Sequence, residues 1–194
     1  MRIPFDQPMA RTLMALAVLA CGPSAALAQM SMGQGHDPMV GGAAMYPSKN
    51  IVENAVNSKD HTTLVAAVKA AGLVDTLEGA GPFTVFAPTN EAFAKLPSGA
   101  VDTLLKPENK AQLVAVLTYH VVPGRLTAAD LRRMVRMGGG KASLTTVQGE
   151  PLTVTDMHGA LSVTDTKGQV AHVTIGDVMQ SNGVIHVVDT VLMP

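Results

Sequence analysis

Residues 82–93 read Pro-Phe-Thr-Val-Phe-Ala-Pro-Thr-Asn-Glu-Ala-Phe, and they carry the clearest local structural signal in the chain. Its residues from Phe83 to Phe86 are aromatic or β-branched, which suits a pleated and largely buried strand. Pro88 cannot donate to a strand ladder, so the strand is predicted to end there. Thr89 then caps a short helix, and Phe93 lies on the face of that helix that turns back to the strand. The sequence therefore predicts a buried strand followed at once by a helix.

A second stretch, residues 182–194, reads Asn-Gly-Val-Ile-His-Val-Val-Asp-Thr-Val-Leu-Met-Pro. Its nearly continuous β-branched run is typical of a central strand. The Asn182-Gly183 pair in front of that run predicts a turn. Between the two stretches, Tyr119-His120 and the valines after them also predict a central strand, which Pro123 ends.

These three segments resemble, in order and spacing, the three signature segments of the fasciclin domain, and the resemblance covers residues 47–194. It implies an α+β fold: a compact, wedge-shaped β-sandwich of two small sheets with N-terminal helices packed at one side. The residues that carry the resemblance, and that we expect to hold the fold together, are Thr84, Phe86, Ala87, Pro88, Thr89, Asn90, Phe93, Asn182, Gly183, His186 and Asp189.

The order of the local patterns favours the same fold class. Apolar residues recur at helical spacing through much of residues 50–117. From Ala142 onward, short runs with frequent apolar and polar alternation are separated by turn residues, which indicates a meander of strands. Helices first and strands later, with one early strand at Phe83, is an α+β arrangement.

The N-terminus has the pattern of a targeting segment. Two arginines precede an apolar run at residues 13–20, and small residues at Ala26 and Ala28 predict a signal peptide over residues 1–28 with cleavage after Ala28. The apolar run is shorter than a membrane span, so we predict no transmembrane anchor and a secreted or periplasmic protein. Cys21, the only cysteine, offers an alternative, because Val18 to Gly22 resembles a bacterial lipoprotein box in which that cysteine carries a lipid anchor.

Residues 29–46 are predicted to be a flexible linker rich in methionine and glycine. Soft thioether and imidazole ligands suit Cu(I), so an alternative function is periplasmic copper binding or a stress-related role carried by this tail. We favour a mobile tail without metal, because no repeated Met-x-x-Met spacing fixes a geometry. The residues of the copper alternative are Met30, Met32, His36, Met39 and Met45.

Several classes of function lack support in the sequence. Lys and Arg number 14 against 15 acids and are scattered along the chain, which is not the basic face of a nucleic-acid binder. There is no Gly-x-Ser-x-Gly, no phosphate-binding loop and no His-Glu-x-x-His. We therefore predict a protein that is not an enzyme and has no cofactor. For His120 and His186 we predict hydrogen-bonded core histidines.

The resemblance also implies a function in recognition. Animal fasciclin domains are associated with cell adhesion and matrix binding, and their integrin contacts have been linked to segments that match Tyr119-His120 and Asp177-Val178 here. A short exported chain with this signal is typical of bacteria, which lack integrins, so only the adhesive tendency is expected to carry over. We predict a non-catalytic module that adheres to a cell-surface or matrix protein or polysaccharide, with Tyr119, His120, Asp177 and Val178 as the candidate contacts; for Asp177, a role in ordering a turn is an equal alternative.

Overall fold

The computed structural model describes residues 37–194, and in it most helices precede most strands, as predicted. Residues 37–194 belong to one compact unit. Its elements in order are β1 (Met39–Val40), β2 (Ala43–Ala44), α1 (Ile51–Asn57), α2 (Thr62–Ala71), α3 (Val74–Glu78), β3 (Phe83–Pro88), α4 (Asn90–Ala94), α5 (Ala100–Leu104), α6 (Lys110–Tyr119), β4 (Val121–Pro123), α7 (Ala128–Met137), β5 (Lys141–Thr145), β6 (Pro151–Met157), β7 (Ala160–Thr164), β8 (Val170–Gln180) and β9 (Gly183–Val188).

Strands β3 to β9 form one sheet in the order β4-β3-β9-β8-β7-β6-β5. The strands from residues 82–93 and 182–194, β3 and β9, lie side by side and pair in parallel. Every other pair of neighbouring strands in this sheet is antiparallel. The 11-residue β8 shifts register twice between Val173 and Val178, and such bulges bend a strand. The backbone N–H of Val147, just after β5, donates to the carbonyl of Val121 in β4 (2.8 Å), so the two edges of the sheet meet. The α+β class is confirmed. The two small sheets that were predicted are parts of one seven-stranded sheet.

Two apolar cores lie on either side of β3 and β9. One contains α1, α2 and α6 and takes Val85 and Ile185 from the sheet. The other lies between α7 and the β5 to β7 strands, where Leu131 packs with residues such as Val154. All six residues of β9 are buried, which explains why its run of apolar residues is interrupted only by His186.

Local signals account for where the principal helices begin. Asn50 and Glu53 form a reciprocal capping box at α1, and Thr127 and Asp130 form another at α7. Gly72 ends α2 in the left-handed region, at φ 73°. Helix α7 runs on to Met137, with Leu131 and Val135 on its buried face.

The predicted strand at Tyr119-His120 is wrong. Helix α6 runs through Tyr119, and the following strand is the short edge strand β4 rather than a central one. The His120 ring explains the difference, because its Nδ1–H donates to the carbonyl of Val116 one turn earlier (2.7 Å) and so closes the last turn of the helix.

The last part of the predicted linker is folded in the structure. Strands β1 and β2 form a hairpin around Gly41 and Gly42, which both have positive φ. Val40 and Met45 are buried in the core formed with α1 and α2. The side chain of Asn54 accepts from the N–H of Tyr46 (3.1 Å) and donates to its carbonyl (2.8 Å). Apolar burial and this amide clamp hold a segment whose glycines are typical of a linker.

Some predictions fall on residues that the structure does not describe. The signal peptide over residues 1–28, the alternative lipid anchor at Cys21, and Met30, Met32 and His36 of the copper alternative all lie outside the described residues. Within residues 37–194, no helix combines the length and apolarity needed to cross a bilayer.

Candidate functional site

Tyr119 is a buried structural residue. Its ring is fully enclosed in the core with α7. Its hydroxyl donates to the carbonyl of Pro151 (3.1 Å) and accepts from the N–H of Thr166 (3.2 Å), and burial raises its pKa. The side chain therefore joins the end of α6 to the strands β6 and β7 from inside, and it is not exposed to a partner.

His120 is also buried, with both ring nitrogens engaged. While Nδ1–H donates to Val116, Nε2 accepts from the backbone N–H of Leu192 (3.0 Å). Burial lowers the pKa of His120 from 6.5 to about 4, more than the carbonyl of Val116 and the charge of Asp165 raise it. At neutral pH the ring is therefore an uncharged clamp between α6 and the C-terminal segment.

His186, on β9, is a second buried histidine with both ring nitrogens hydrogen-bonded. Its Nε2–H donates to the carbonyl of Leu126 (2.9 Å), its Nδ1 accepts from the N–H of Asp177 (3.4 Å), and its ring stacks on Phe86 at 5.7 Å. Burial lowers its pKa. Both histidines are hydrogen-bonded core residues, as the sequence predicts, although only His186 lies on a central strand.

The loop between β4 and α7 is fixed from below by the neighbouring strand. Thr84 on β3 donates from Oγ1 to the carbonyl of Gly124 (2.6 Å) and accepts at the same atom from the N–H of Leu126 (2.9 Å). Together with the bond from His186 to Leu126, these contacts hold the loop that leads into α7.

Asp177 is the exposed member of the four predicted contacts. It lies at the irregular part of β8 with φ 58°, a left-handed conformation that aspartate tolerates better than most residues. Its Oδ1 accepts from the N–H of Ala128 (2.6 Å) at the first residue of α7, where the helix dipole favours a negative charge. Val178, beside it, is completely buried. The structure thus brings Asp177 to the surface and leaves Tyr119, His120 and Val178 underneath.

The remaining signature residues connect elements to one another. Asn90 accepts from the N–H of Thr63 (3.0 Å) and donates to the carbonyl of Lys59 (2.8 Å), which ties α4 to the start of α2. Asn182 accepts from the N–H of Ile51 (3.1 Å) and donates to the carbonyls of Leu77 and Gly79. The bonds of Asn182 hold α1, the end of α3 and the loop before β3 at the start of β9.

Asp189 closes the other end of β9. It accepts from the N–H of His172 (2.8 Å) and the hydroxyl of Thr190 (3.0 Å), and its Oδ2 lies 3.5 Å from Lys95 Nζ. Burial acts to raise its pKa, but these bonds and the charge of Lys95 outweigh it and lower the pKa. This acid therefore serves the backbone and an ion pair, not proton transfer.

His61 is a buried histidine whose environment the sequence does not reveal. Its Nδ1 is hydrogen-bonded to Ser58 Oγ (2.9 Å), while its Nε2 is the one buried side-chain nitrogen or oxygen in residues 37–194 without a hydrogen-bond partner. The ring lines a small apolar cavity together with Met45. Burial lowers its pKa. The hairpin of β1 and β2 provides this burial, and the glycine-rich pattern of that segment gave no signal of it.

Nothing in residues 37–194 forms a metal centre of the usual kind, since no three His, Cys, Asp or Glu residues come together. Of the copper alternative, Met39 is 56% exposed, whereas Met45 is 2% exposed inside the core. A site using both thioethers would require the hairpin to open. Copper binding by the tail stays a prediction.

Comparisons with known proteins identify relatives of the chain and a protein with the same fold. The family model described as Fasciclin domain matches residues 59–194. The chain is 48% identical over 174 residues to Protein sll1483 of Synechocystis sp., covering 89% of this chain and 88% of that protein. It is 35% identical over 162 residues to the cell surface glycolipoprotein MPB83 of Mycobacterium bovis, covering 84% of this chain and 63% of that protein. A solved FAS1 domain pair from the insect cell adhesion molecule Fasciclin I has the same fold, with a TM-score of 0.67 at 20% identity over 75% of this chain and 51% of that one.

Proposed function

Because the chain belongs to the fasciclin domain family, we propose that it is an exported, non-catalytic interaction module that adheres to a cell surface, a matrix or a polymer. The observation that carries this proposal is the family match over residues 59–194. It is supported by the similarity to a cell surface glycolipoprotein and by the shared fold with a domain pair of an insect cell adhesion molecule.

The state of the polar signature residues supports a non-catalytic role. Each nitrogen of His120 and His186 bonds to the backbone, and burial keeps both rings neutral. A general acid or base needs a pKa near the working pH and access to a substrate proton. Both nitrogens of each ring are occupied by backbone groups and both rings are buried, so neither ring has access to a substrate proton and both serve the scaffold.

We place the contact surface around Asp177, where β8 meets the start of α7. This carboxylate is exposed, while Tyr119, His120 and Val178 support the surface from beneath. An Asp177→Asn variant tests the charge alone, because asparagine tolerates the same backbone conformation and its side-chain oxygen can accept the bond from Ala128. Asp75→Asn, at an exposed position of α3, is the matched control.

The assay is the adhesion of beads coated with the chain from Gln29 to Pro194 to producing cells, to host cells and to matrix polysaccharides. Adhesion that Asp177→Asn weakens and Asp75→Asn leaves intact is the expected result. Adhesion that is equal in both variants would move the contact away from Asp177, and a coated bead that binds none of these surfaces would reject the adhesive function.

Export is part of the same proposal and has its own test. The charge and apolar pattern of residues 1–28 supports cleavage after Ala28. Mass spectrometry of the protein from the producing cells should find Gln29 as the first residue, or its cyclised form. A lipid-modified Cys21 at the N-terminus would instead establish the anchored alternative.

A further inference from the structure

A groove of about 450 Å³ lies between α5 and α6. Its volume is in the range of roughly 300–1,000 Å³ that is typical of small-molecule sites. Each helix lines it with one face, at the spacing i, i+3, i+4: Ala100, Thr103 and Leu104 from α5, and Gln112, Ala115 and Val116 from α6. The groove stays open because Gly99, Ala100 and Ala115 carry at most one side-chain carbon each.

Lys167 and Met193 also line the groove, and one buried carboxylate fixes both of them. Lys167 lies in the turn between β7 and β8. Asp165, which is 6% exposed, accepts from the backbone N–H of Lys167 at Oδ1 (2.9 Å) and from the backbone N–H of Met193 at Oδ2 (3.1 Å). The carboxylate is therefore turned to the backbone, and this wall of the groove has a defined position.

The buried signature pair at the end of α6 holds the same wall a second time. Tyr119 accepts from the N–H of Thr166 (3.2 Å), and His120 accepts from the N–H of Leu192 (3.0 Å). Thr166 and Leu192 directly precede the two residues of the wall. The segment that the sequence singled out as a contact thus supports a surface from inside, without being part of it.

Polar side chains surround the apolar floor of the groove and are free to bind a ligand. Ser98, Thr103, Gln112 and Lys167 are exposed, and within residues 37–194 their side chains form neither hydrogen bonds nor ion pairs. Lys167 is the one charged side chain among the lining residues. Asp102 belongs to α5 but lies on the opposite face of that helix. The groove therefore offers hydroxyl, amide and ammonium groups and no carboxylate side chain.

We propose that this groove binds a uronate residue of an acidic polysaccharide. The small aliphatic side chains of the floor can pack against the C–H groups of a sugar ring, while the free hydroxyl and amide groups bond its hydroxyls. The ammonium group of Lys167 pairs with the uronate carboxylate in a charge-assisted hydrogen bond. A nucleic acid fits less well, because one cation and no aromatic side chain line the groove.

The inference goes beyond the proposed adhesive function, because it assigns a class of ligand to a second surface. Asp177 is not among the residues that line the groove. The two ideas can therefore fail separately. Coated beads that adhere while uronate oligomers do not bind would leave adhesion standing and remove this inference, and bound oligomers with beads that adhere nowhere would do the reverse.

The test is an NMR titration of the purified, ¹⁵N-labelled protein with uronate oligomers from alginate and pectate, and with the same oligomers after reduction of their carboxyl groups. We expect saturable shifts of the amide signals of the groove, and about 10-fold weaker binding of the reduced oligomers. Lys167→Gln should weaken uronate binding about 10-fold and abolish the preference for the charged oligomers. Lys110→Gln, at the exposed start of α6 and outside the groove, is the matched control and should bind normally.

A second variant tests the shape of the groove without changing any charge. Ala115→Leu should fill the space between α5 and α6 and weaken binding at least 10-fold, whereas Ala111→Leu, at an exposed position of α6 outside the groove, should not. Oligomers that do not bind, equal affinity for the charged and the reduced oligomers, or normal binding by Lys167→Gln or Ala115→Leu would overturn the proposal. An oligoglutamate that binds the groove more tightly than the uronate oligomers would overturn it in favour of an acidic peptide.

Discussion

Mild acid should destabilise this protein through His120. The ring is 2% exposed, and its Nε2 accepts a hydrogen bond from the N–H of Leu192. A protonated Nε2 would point its N–H at the N–H of Leu192, which is also a donor. It would also place a positive charge in an apolar interior, and this burial lowers the pKa of His120 from 6.5 to about 4. The unfolded chain keeps an ordinary imidazole pKa and so takes up the proton first.

The size of the effect follows from the two pKa values. A difference of about 2.5 units corresponds to about 3.4 kcal/mol between the protonation states. Because the folded pKa is the lower one, the unfolded state binds more protons below pH 6.5 and stability falls as the pH is lowered. The free energy of unfolding should lose about 2 kcal/mol by pH 5 from this residue, and the loss should level off below about pH 4.

The assay is urea unfolding at a series of pH values between about 7.5 and 5 for the unaltered chain and His120→Gln. The variant should lose about 1–3 kcal/mol at pH 7.5, because at least one buried bond is left unmade. The gap should then narrow by about 2 kcal/mol towards pH 5. His61 and His186, which have pKa values shifted in the same direction, remain in both proteins and cancel in the difference.

The control for this measurement is His158→Gln, in the exposed turn between β6 and β7, which should follow the pH dependence of the unaltered chain. Unfolding curves for His120→Gln that run parallel to those of the unaltered chain across this range would refute the reasoning. So would a pKa for His120 near 6.5 when the ring is followed by NMR in the folded protein.

Three further changes test the contacts that hold the sheet. Asn182→Ala removes side-chain bonds to Ile51, Leu77 and Gly79 and should lower the free energy of unfolding by about 2–4 kcal/mol; a loss below about 0.5 kcal/mol in urea would show that these bonds are not needed. Gly183→Ala places a methyl group against the backbone of the parallel strand, at the carbonyl of Phe83, and should lower the thermal midpoint by several degrees, an effect that calorimetry would detect. Tyr119→Phe removes a hydroxyl that bridges Pro151 and Thr166 and should cost about 1–2 kcal/mol in urea unfolding, with adhesion unchanged; lost adhesion in the folded variant would contradict its assignment to the scaffold.

The parts of the fold that could be predicted are those encoded by neighbouring residues. The aromatic and β-branched run at Phe83 and the proline that ends it are local signals, and so is the apolar run of β9. Their parallel pairing is not local, because each strand could have paired elsewhere without any change in its own pattern. The resemblance implied two small sheets with helices at one side, and it did not specify this pairing.

Other features were predicted wrongly because one sequence pattern is compatible with two structures. The apolar run at Tyr119 is equally compatible with a helix end, and the bond from His120 back to Val116 decides in favour of the helix. Gly41 and Gly42 form the turn of a tight hairpin and not part of a flexible linker. The burial of Met45 in the core stabilises this hairpin. Burial depends on what the rest of the chain provides, which explains why three of the four candidate contacts proved to be inside.

The exposed face of α7 could have been predicted from the sequence. The spacing of Leu131 and Val135 fixes which face is buried, so it also fixes that Arg133 and Arg136 point outward. Counting cations over the whole chain concealed this, because a balanced total says nothing about where the charges lie.

The parallel pairing of β3 and β9 constrains when the protein can fold. Phe83 is partnered with Gly183, one hundred residues further along the chain, and β9 lies between β3 and β8. Until β9 is available, the sheet exists as two pieces with exposed inner edges, so the cooperative transition must wait for nearly the whole domain to be synthesised. If the chain is exported as proposed, this delay is useful, since a polypeptide that cannot close its central sheet early stays unfolded during translocation. Deleting β9 should accordingly leave a chain that is exported but rapidly degraded.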